Sequence, residues 1–220
     1  MSNKGKGDVL DCGSNGGIKL IDQVVKVVER LVEKKVKSKG TLDGMQFGFT
    51  SGKGTTIFIV RQMQGKYLAK KKELWMAFVD LEKAFDRVPR EVVWWALRKA
   101  GVEEWLIKVI QFMYVGVTTT VRMKGEESKE FEVKVGVHQG SLLSPLLFTI
   151  VLETLSRHFI KGLQWELFYA DVLVLLVESR AILMEKIEIW KEGLESKGFK
   201  VNIGKTKVVK CHVVKYAGRV

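Results

Sequence analysis

The sequence predicts an α+β domain: a split β-α-β antiparallel sheet with helices on one face. Three observations predict it. Two sets of apolar runs, Trp75–Val79 and the pair Leu167–Ala170 and Leu173–Val177, are rich in aromatic and β-branched residues and too short for typical helices. Longer stretches with apolar residues at helical spacing surround them. From Leu74 onward the order reads strand, helices, hairpin, helix, hairpin, helix, strand.

Composition narrows the partners. The chain has 220 residues, enough for one large domain or two small ones, and 46% are hydrophobic, so a substantial core is available and wholesale disorder is not expected. The formal charge of +12 suits a partner that carries phosphates. The excess is uneven: residues 1–75 hold 15 Lys and Arg against 7 Asp and Glu, and the remainder hold 22 against 18. For individual lysines in such stretches a solvated surface is the better reading. Two cysteines, Cys12 and Cys211, make neither a disulfide framework nor a zinc pattern, so a reducing, intracellular setting is the default expectation. The start, MSNKGKGDVLDCG, lacks the apolar core of a signal peptide. The longest mostly apolar helical stretch, Leu142–Leu155, is too short to span a bilayer and contains Glu153, so no membrane segment is expected.

Residues 1–17 are polar and Gly-rich and read as a flexible tail. Ile18–Lys37 reads as an amphipathic helix, with Val24, Val27, Val28, Leu31 and Val32 on its apolar side and a stop near Gly40. Gln46–Thr56 is Gly-rich but fails the P-loop pattern: Gly48 stands one residue too close to Gly52-Lys53, and Gly54 occupies the Ser/Thr position. A helix follows at Ile57–Lys72, its end marked by Lys70 to Lys72, where positive charge suits the dipole. After the Trp75–Val79 strand, Asp86 precedes Val88-Pro89 and reads as a turn or capping residue rather than a metal ligand.

Helices are predicted at Glu91–Ala100, closed by Gly101, and at Glu103–Tyr114, with Trp94, Trp95, Trp105, Ile107 and Ile110 as core. Thr118–Met123 and Glu130–Val135 alternate around Gly125 as a hairpin. His138 has no partner pattern and reads as structural. A long buried helix covers Leu142–Ile160 and admits Pro145 in its first turn. Ala181–Ser196 is an amphipathic helix ending at Gly198, and Phe199–Ile203 is the last strand.

Two carboxylates stand out. Asp80 ends the first apolar strand, and Asp171 lies between the two apolar arms of the second hairpin. A carboxylate in such surroundings is costly unless paired, hydrogen-bonded or bound to a metal. Asp171 either shapes the turn or serves as a ligand. Two strand-borne acids brought together on one sheet suit a pair of divalent ions about 3.5–4 Å apart, as used in nucleotidyl transfer, and magnesium is the hard ion that prefers such oxygen ligands.

FVDLEKAFD (78–86), HQGSLLSPLLF (138–148), FYADV (168–172) and GFKVNIGKTKV (198–208) resemble, in order and spacing, successive motifs of a reverse transcriptase, most of all the non-LTR retrotransposon type. The resemblance covers Gly17 to Cys211. It implies a polymerase palm over residues 74–211, a basic fingers-like segment over 18–73, and a truncated tail at 212–220 with no thumb following. It implies that Asp80 and Asp171 hold two Mg²⁺ ions and that Lys205 assists the departing pyrophosphate, although a surface lysine would look the same. It also implies that Gln139 and Gly140 contact template and nucleotide, and that Lys53 meets a phosphate. Phe85 matches the aromatic gate that excludes a 2′-hydroxyl, although a core Phe at a helix start reads equally well. The expected partners are an RNA template, a DNA primer and deoxynucleoside triphosphates. The family's box reads Tyr-Ala-Asp-Asp, and here the second Asp is Val172. The expectation is therefore a reverse transcriptase fold with little polymerase activity. The alternative is a non-enzymatic nucleic-acid-binding remnant of a mobile element.

Overall fold

A computed structural model describes residues 21–39, 56–70, 72–120, 122–123, 126–159, 165–169 and 172–211. In chain order the elements are α1 (Gln23–Lys39), α2 (Thr56–Ala69), β1 (Leu74–Leu81), α3 (Ala84–Arg87), α4 (Arg90–Lys99), α5 (Glu104–Phe112), the short strands β2 (Thr118–Thr119), β3 (Arg122–Met123), β4 (Glu126–Glu127) and β5 (Phe131–Glu132), then α6 (Ser144–Phe159), β6 (Trp165–Tyr169), β7 (Val172–Val177), α7 (Arg180–Glu195) and β8 (Val201–Cys211).

The predicted apolar runs are strands, and they form one antiparallel sheet in the order β6-β7-β1-β8. Alternation along β1 sends Ala77, Val79 and Leu81 into the main core, where they meet buried residues of α4, α5, α6 and α7 such as Leu97, Ile107, Phe148 and Trp190. Leu74 and Met76 point the other way. There they join Val174, Leu176 and Cys211 in a second, smaller core closed by Met63 of α2. The helices that follow β1 pack on one face, and α2, from the segment before β1, covers the opposite face, because β1 and β7 are apolar on both sides and each side needs a cover.

Other boundaries shift for local reasons. α2 stops at Ala69, so Lys70 lies in a turn and Lys72 beyond it rather than in the last helical turn. The 118–135 hairpin is two short ladders, Thr118↔Glu132 with Thr119↔Phe131 and Arg122↔Glu127 with Met123↔Glu126, whose registers differ by one residue. Trp105 is half exposed rather than core. α7 is capped by Ser179, whose Oγ accepts from the Ile182 N–H, a standard N-cap.

α1 is the clearest correction. Val24, Val27 and Leu31 of its predicted apolar side are 60–72% exposed, and the buried residues are Glu29, Val32 and Val36. That spacing still marks one helical face, but a carboxylate sits at its centre. β8 is also longer than the predicted Phe199–Ile203 strand, running to Cys211 and pairing along nearly all of β1. Among the described residues no helix is long and apolar enough to cross a membrane.

Candidate active site

Asp80 is the penultimate residue of β1 and is partly buried. On one side it pairs with Val172 of β7, and on the other with Asn202 of β8. Alternation puts Asp80 on the face of Leu74, Met76 and Phe78, and puts Val172 on the face of Val174 and Leu176. Both are the face covered by α2. Asp80 and Val172 are therefore direct cross-strand neighbours, a relation that sets Cβ atoms about 4.5–5.5 Å apart. β6 and β7 pair through Tyr169↔Val172, with two residues between the strands. Asp171 is one of those two and lies outside the described residues, as does Lys53. The strand that starts immediately after Asp171 is thus the one that pairs with the strand carrying Asp80.

On the other flank β8 bulges. Phe78 pairs with Lys207 and Asp80 with Asn202, so Ile203, Gly204, Lys205 and Thr206 oppose the single residue Val79. The bulge is tied by Asn202, whose Oδ1 accepts from the Lys205 N–H at 3.2 Å and whose carbonyl accepts from Thr206 Oγ1 at 2.9 Å. An inserted segment of this kind re-aims side chains beside a ladder. Here it sets exposed Lys205 next to the Asp80–Asn202 pair. Apolar alternation is interrupted after Ile203 by Gly204-Lys205-Thr206-Lys207, so periodicity alone does not carry the strand on to Val208 and Val209.

Phe85 and Gln139 belong to a second cluster. The α3 turn and the 136–140 loop are joined by Gly136 N–H to Val88 O at 3.0 Å, Val137 N–H to Phe85 O at 2.8 Å, and Gln139 Nε2 to Asp86 Oδ2 at 3.0 Å. Asp86, read as a turn residue, therefore also anchors the Gln139 amide, a role that no local pattern announces. Gly136 makes the approach possible. Its φ is +81°, and a Cβ there would meet Asp86 O at 2.6 Å and Phe85 O at 2.7 Å. The Phe85 ring is partly buried and stacks on Phe148 with centroids 4.5 Å apart. Gly140 has φ +99° and is exposed, so its backbone is open to a close approach.

The far end of this loop is held from α1. Ser141 Oγ donates to Glu29 Oε1 at 2.5 Å, and the Leu142 N–H donates to Glu29 Oε2 at 2.9 Å. Ser141 Oγ also accepts from the N–H groups of Leu143 and Ser144, capping the entry to α6. Beneath the loop, His138 stacks on Tyr114 at 4.4 Å, and the Tyr114 hydroxyl lies 3.4 Å from Ser144 Oγ. Burial pushes the Tyr114 phenol above its ordinary range. Arg90 lies 5.1 Å from the Tyr114 ring centroid and donates to the carbonyls of Tyr114, Val133 and Gly136. Burial lowers the pKa of its guanidinium.

Among the described residues no group of three or more His, Cys, Asp or Glu side chains is placed to hold a metal ion. A groove between α1 and α5, lined by Leu31, Val32, Trp105 and Val109, includes none of the site residues above.

Comparison with known proteins places this geometry. The family described as reverse transcriptase (RNA-dependent DNA polymerase) matches residues 4–219. The chain is 28% identical over 195 residues to a Pol polyprotein from a type-1 retrotransposable element R2 of Nasonia vitripennis, covering 84% of this chain and 18% of that protein. It is 26% identical over 213 residues to the RNA-directed DNA polymerase from mobile element jockey of Drosophila funebris, covering 89% of this chain and 23% of that one. The chain therefore spans about a fifth of the length of these curated relatives. Among solved structures it is similar to the telomerase of Candida albicans in complex with a fragment of telomeric RNA, with TM-score 0.64, 15% identity, and coverage of 84% of this chain and 34% of that one. The apo telomerase of Candida tropicalis gives TM-score 0.62 at 18% identity, covering 84% of this chain and 36% of that one. At such identities the structures speak for the fold alone. Motif order, sheet and family match together show that the chain belongs to the reverse transcriptase (RNA-dependent DNA polymerase) family, in its non-LTR retrotransposon branch.

Proposed function

We propose that the chain is the palm (74–211) and part of the fingers (18–73) of a reverse transcriptase that copies RNA into DNA, and that its polymerase activity is low. The carrying observation is the pairing of Asp80 with Val172. Asp80 and Asp171 would be the ligands of magnesium, which when bound neutralises phosphate charge and activates the primer 3′-hydroxyl. Val172 faces Asp80 with a branched apolar side chain and offers no ligand. The donors present fit a single, weakly held ion better than a pair.

The chain's own residues would do the remaining work. Phe85, fixed by its stack on Phe148, would lie under the sugar and exclude a 2′-hydroxyl. Gln139 would contact the nucleotide through its amide oxygen, oriented by the amide N–H that it donates to Asp86. Gly140 would let the template approach the backbone. Lys205 on the bulge, with Lys53, would stabilise the triphosphate and the leaving pyrophosphate. The partners would be an RNA template, a DNA primer and deoxynucleoside triphosphates, in an intracellular setting.

Primer extension with Mg²⁺ or Mn²⁺ tests this reading. The purified chain should incorporate nucleotide near background. Val172→Asp should raise incorporation at least about ten-fold, since loss of one member of a catalytic unit commonly costs on the order of 10³ or more in rate. Robust incorporation by the unaltered chain would contradict the impairment. The same Val172, with the net charge of +12, favours a second reading: a nucleic-acid-binding remnant without chemistry. Template–primer affinity that falls steeply with salt, with no incorporation by either protein, would select that reading.

A further inference from the structure

We propose that Glu29 is a positioning residue of the Gln139–Ser141 loop, so that the backbone carrying Gln139 and Gly140 is set from α1 as well as from α3. The proposal rests on the polymerase reading for its functional consequence, but its geometry stands alone. Glu29 is 2% exposed. A carboxylate that deep needs strong partners. Both its oxygens have one: Ser141 Oγ on Oε1 and the Leu142 N–H on Oε2. These donors lie 112 and 113 residues away in sequence, so the contact is a tertiary clasp and not a helix-surface pair.

The clasp is placed where it matters for the loop. Ser141 follows Gln139 and Gly140 directly. Its hydroxyl is oriented by giving its proton to Glu29, which leaves its lone pairs for the N–H groups of Leu143 and Ser144. The carboxylate also sits at the entry to α6, where unpaired N–H groups favour a negative charge. The loop is thus gripped twice. Its start is fixed to α3 by Gly136, Val137 and the Gln139–Asp86 bond, and its end is fixed to α1 by Glu29. Gly140, between the two grips, is the residue with φ +99°. Removing Glu29 frees the end and leaves the start attached, so Gly140 and Ser141 lose their fixed geometry, and Gln139 is held only by its bond to Asp86, while the sheet is unchanged.

The same burial explains why α1 turns Val24, Val27 and Leu31 outward. Rotating Val24, Val27 and Leu31 inward would carry Glu29 away from Ser141 and Leu142.

The experiment compares the chain with Glu29→Ala and Glu29→Gln; the glutamine keeps the size and one good acceptor. Two readouts are taken. Hydrogen exchange at the backbone amides of residues 140–144 should quicken at least about ten-fold in Glu29→Ala and about three-fold in Glu29→Gln, with α4 and the interior of α6 unchanged. Affinity for a deoxynucleoside triphosphate, measured on the chain already bound to a template–primer, should fall about five- to ten-fold in Glu29→Ala. Template–primer affinity itself should change less than about two-fold, and Glu29→Gln should recover part of the nucleotide affinity. Unchanged exchange at residues 140–144 in both variants would overturn the proposal. So would nucleotide and template–primer affinities falling together, since that is general damage. If Glu29→Ala does not fold, Glu29→Gln carries both readouts. If the unaltered chain binds no nucleotide, the polymerase reading fails, and the exchange result alone still decides whether Glu29 positions the loop.

Discussion

The 136–142 loop and the end of the sheet at Asp80 are both candidate parts of one site, and they differ in what lies directly across from their polar groups. In the loop, Gly136, Val137 and Gln139 bond to the α3 region, and Ser141 and Leu142 bond to Glu29 of α1. At the end of the sheet, the residue directly across from Asp80 is Val172, whose side chain offers neither charge nor hydrogen bond. The difference teaches that the two parts answer to different constraints. The loop's contacts stabilise the fold, so their loss would be felt in stability. A second acid across from Asp80 would be a like charge on a neighbouring strand, destabilising unless a cation sits between. On the proposed reading, valine at this position would remove chemistry at no cost to the fold, so a folded chain with a weakened centre is the expected product.

Two changes probe the loop side of that comparison. The larger effect belongs to Gly136→Ala. The new methyl would press on two backbone oxygens at 2.6 and 2.7 Å, in a left-handed conformation. Urea unfolding should show a loss of about 3 kcal/mol, and the displaced α3 turn should carry Phe85 with it. A loss under about 1 kcal/mol would mean the loop is not clamped to α3.

A smaller effect belongs to Tyr114→Phe, which removes one long hydrogen bond to Ser144 and should cost about 1 kcal/mol at neutral pH. Its pH dependence sharpens the test. Burial raises the Tyr114 phenol, so its protonated form is favoured in the folded state. The associated stabilisation is complete below the ordinary tyrosine value of about 10 and is lost as pH rises through the higher folded value. Between about pH 9 and 11 the unaltered chain should therefore lose stability faster than Tyr114→Phe, measured as the shift in urea midpoint. Parallel curves would place Tyr114 outside the packed base of the loop.

Much of this architecture was legible in the sequence, and the exceptions share a cause. The β1 strand and the hairpin around Asp171 announce themselves because buried strands need apolar, β-branched residues on both faces. The turn of helices at α4 and α5 follows from Pro89 and Gly101, which punctuate the chain locally. What could not be read depended on distant partners. Glu29 looks like one charge among several on α1 until Ser141, 112 residues later, is seen to donate to it. Asp86 passes for a turn residue until Gln139 reaches it. The β8 bulge interrupts alternation, so the resumed pairing at Lys207 with Phe78 is invisible without β1. Of the candidate site, Asp80, Phe85, Gln139, Gly140 and Lys205 stood in their motifs from the start. Their supports did not, since supports are tertiary.

The sheet end is tested most directly by Mn²⁺ titration, followed by electron paramagnetic resonance, of four proteins: the unaltered chain, Val172→Asp, Asp80→Asn and the double variant. The account predicts weak binding by the unaltered chain, at least about ten-fold tighter binding by Val172→Asp, and loss of that gain when Asp80→Asn is added, since the new acid would act with the carboxylate across from it. A gain that survives Asp80→Asn, or no gain at all, would contradict a metal centre at this end of the sheet.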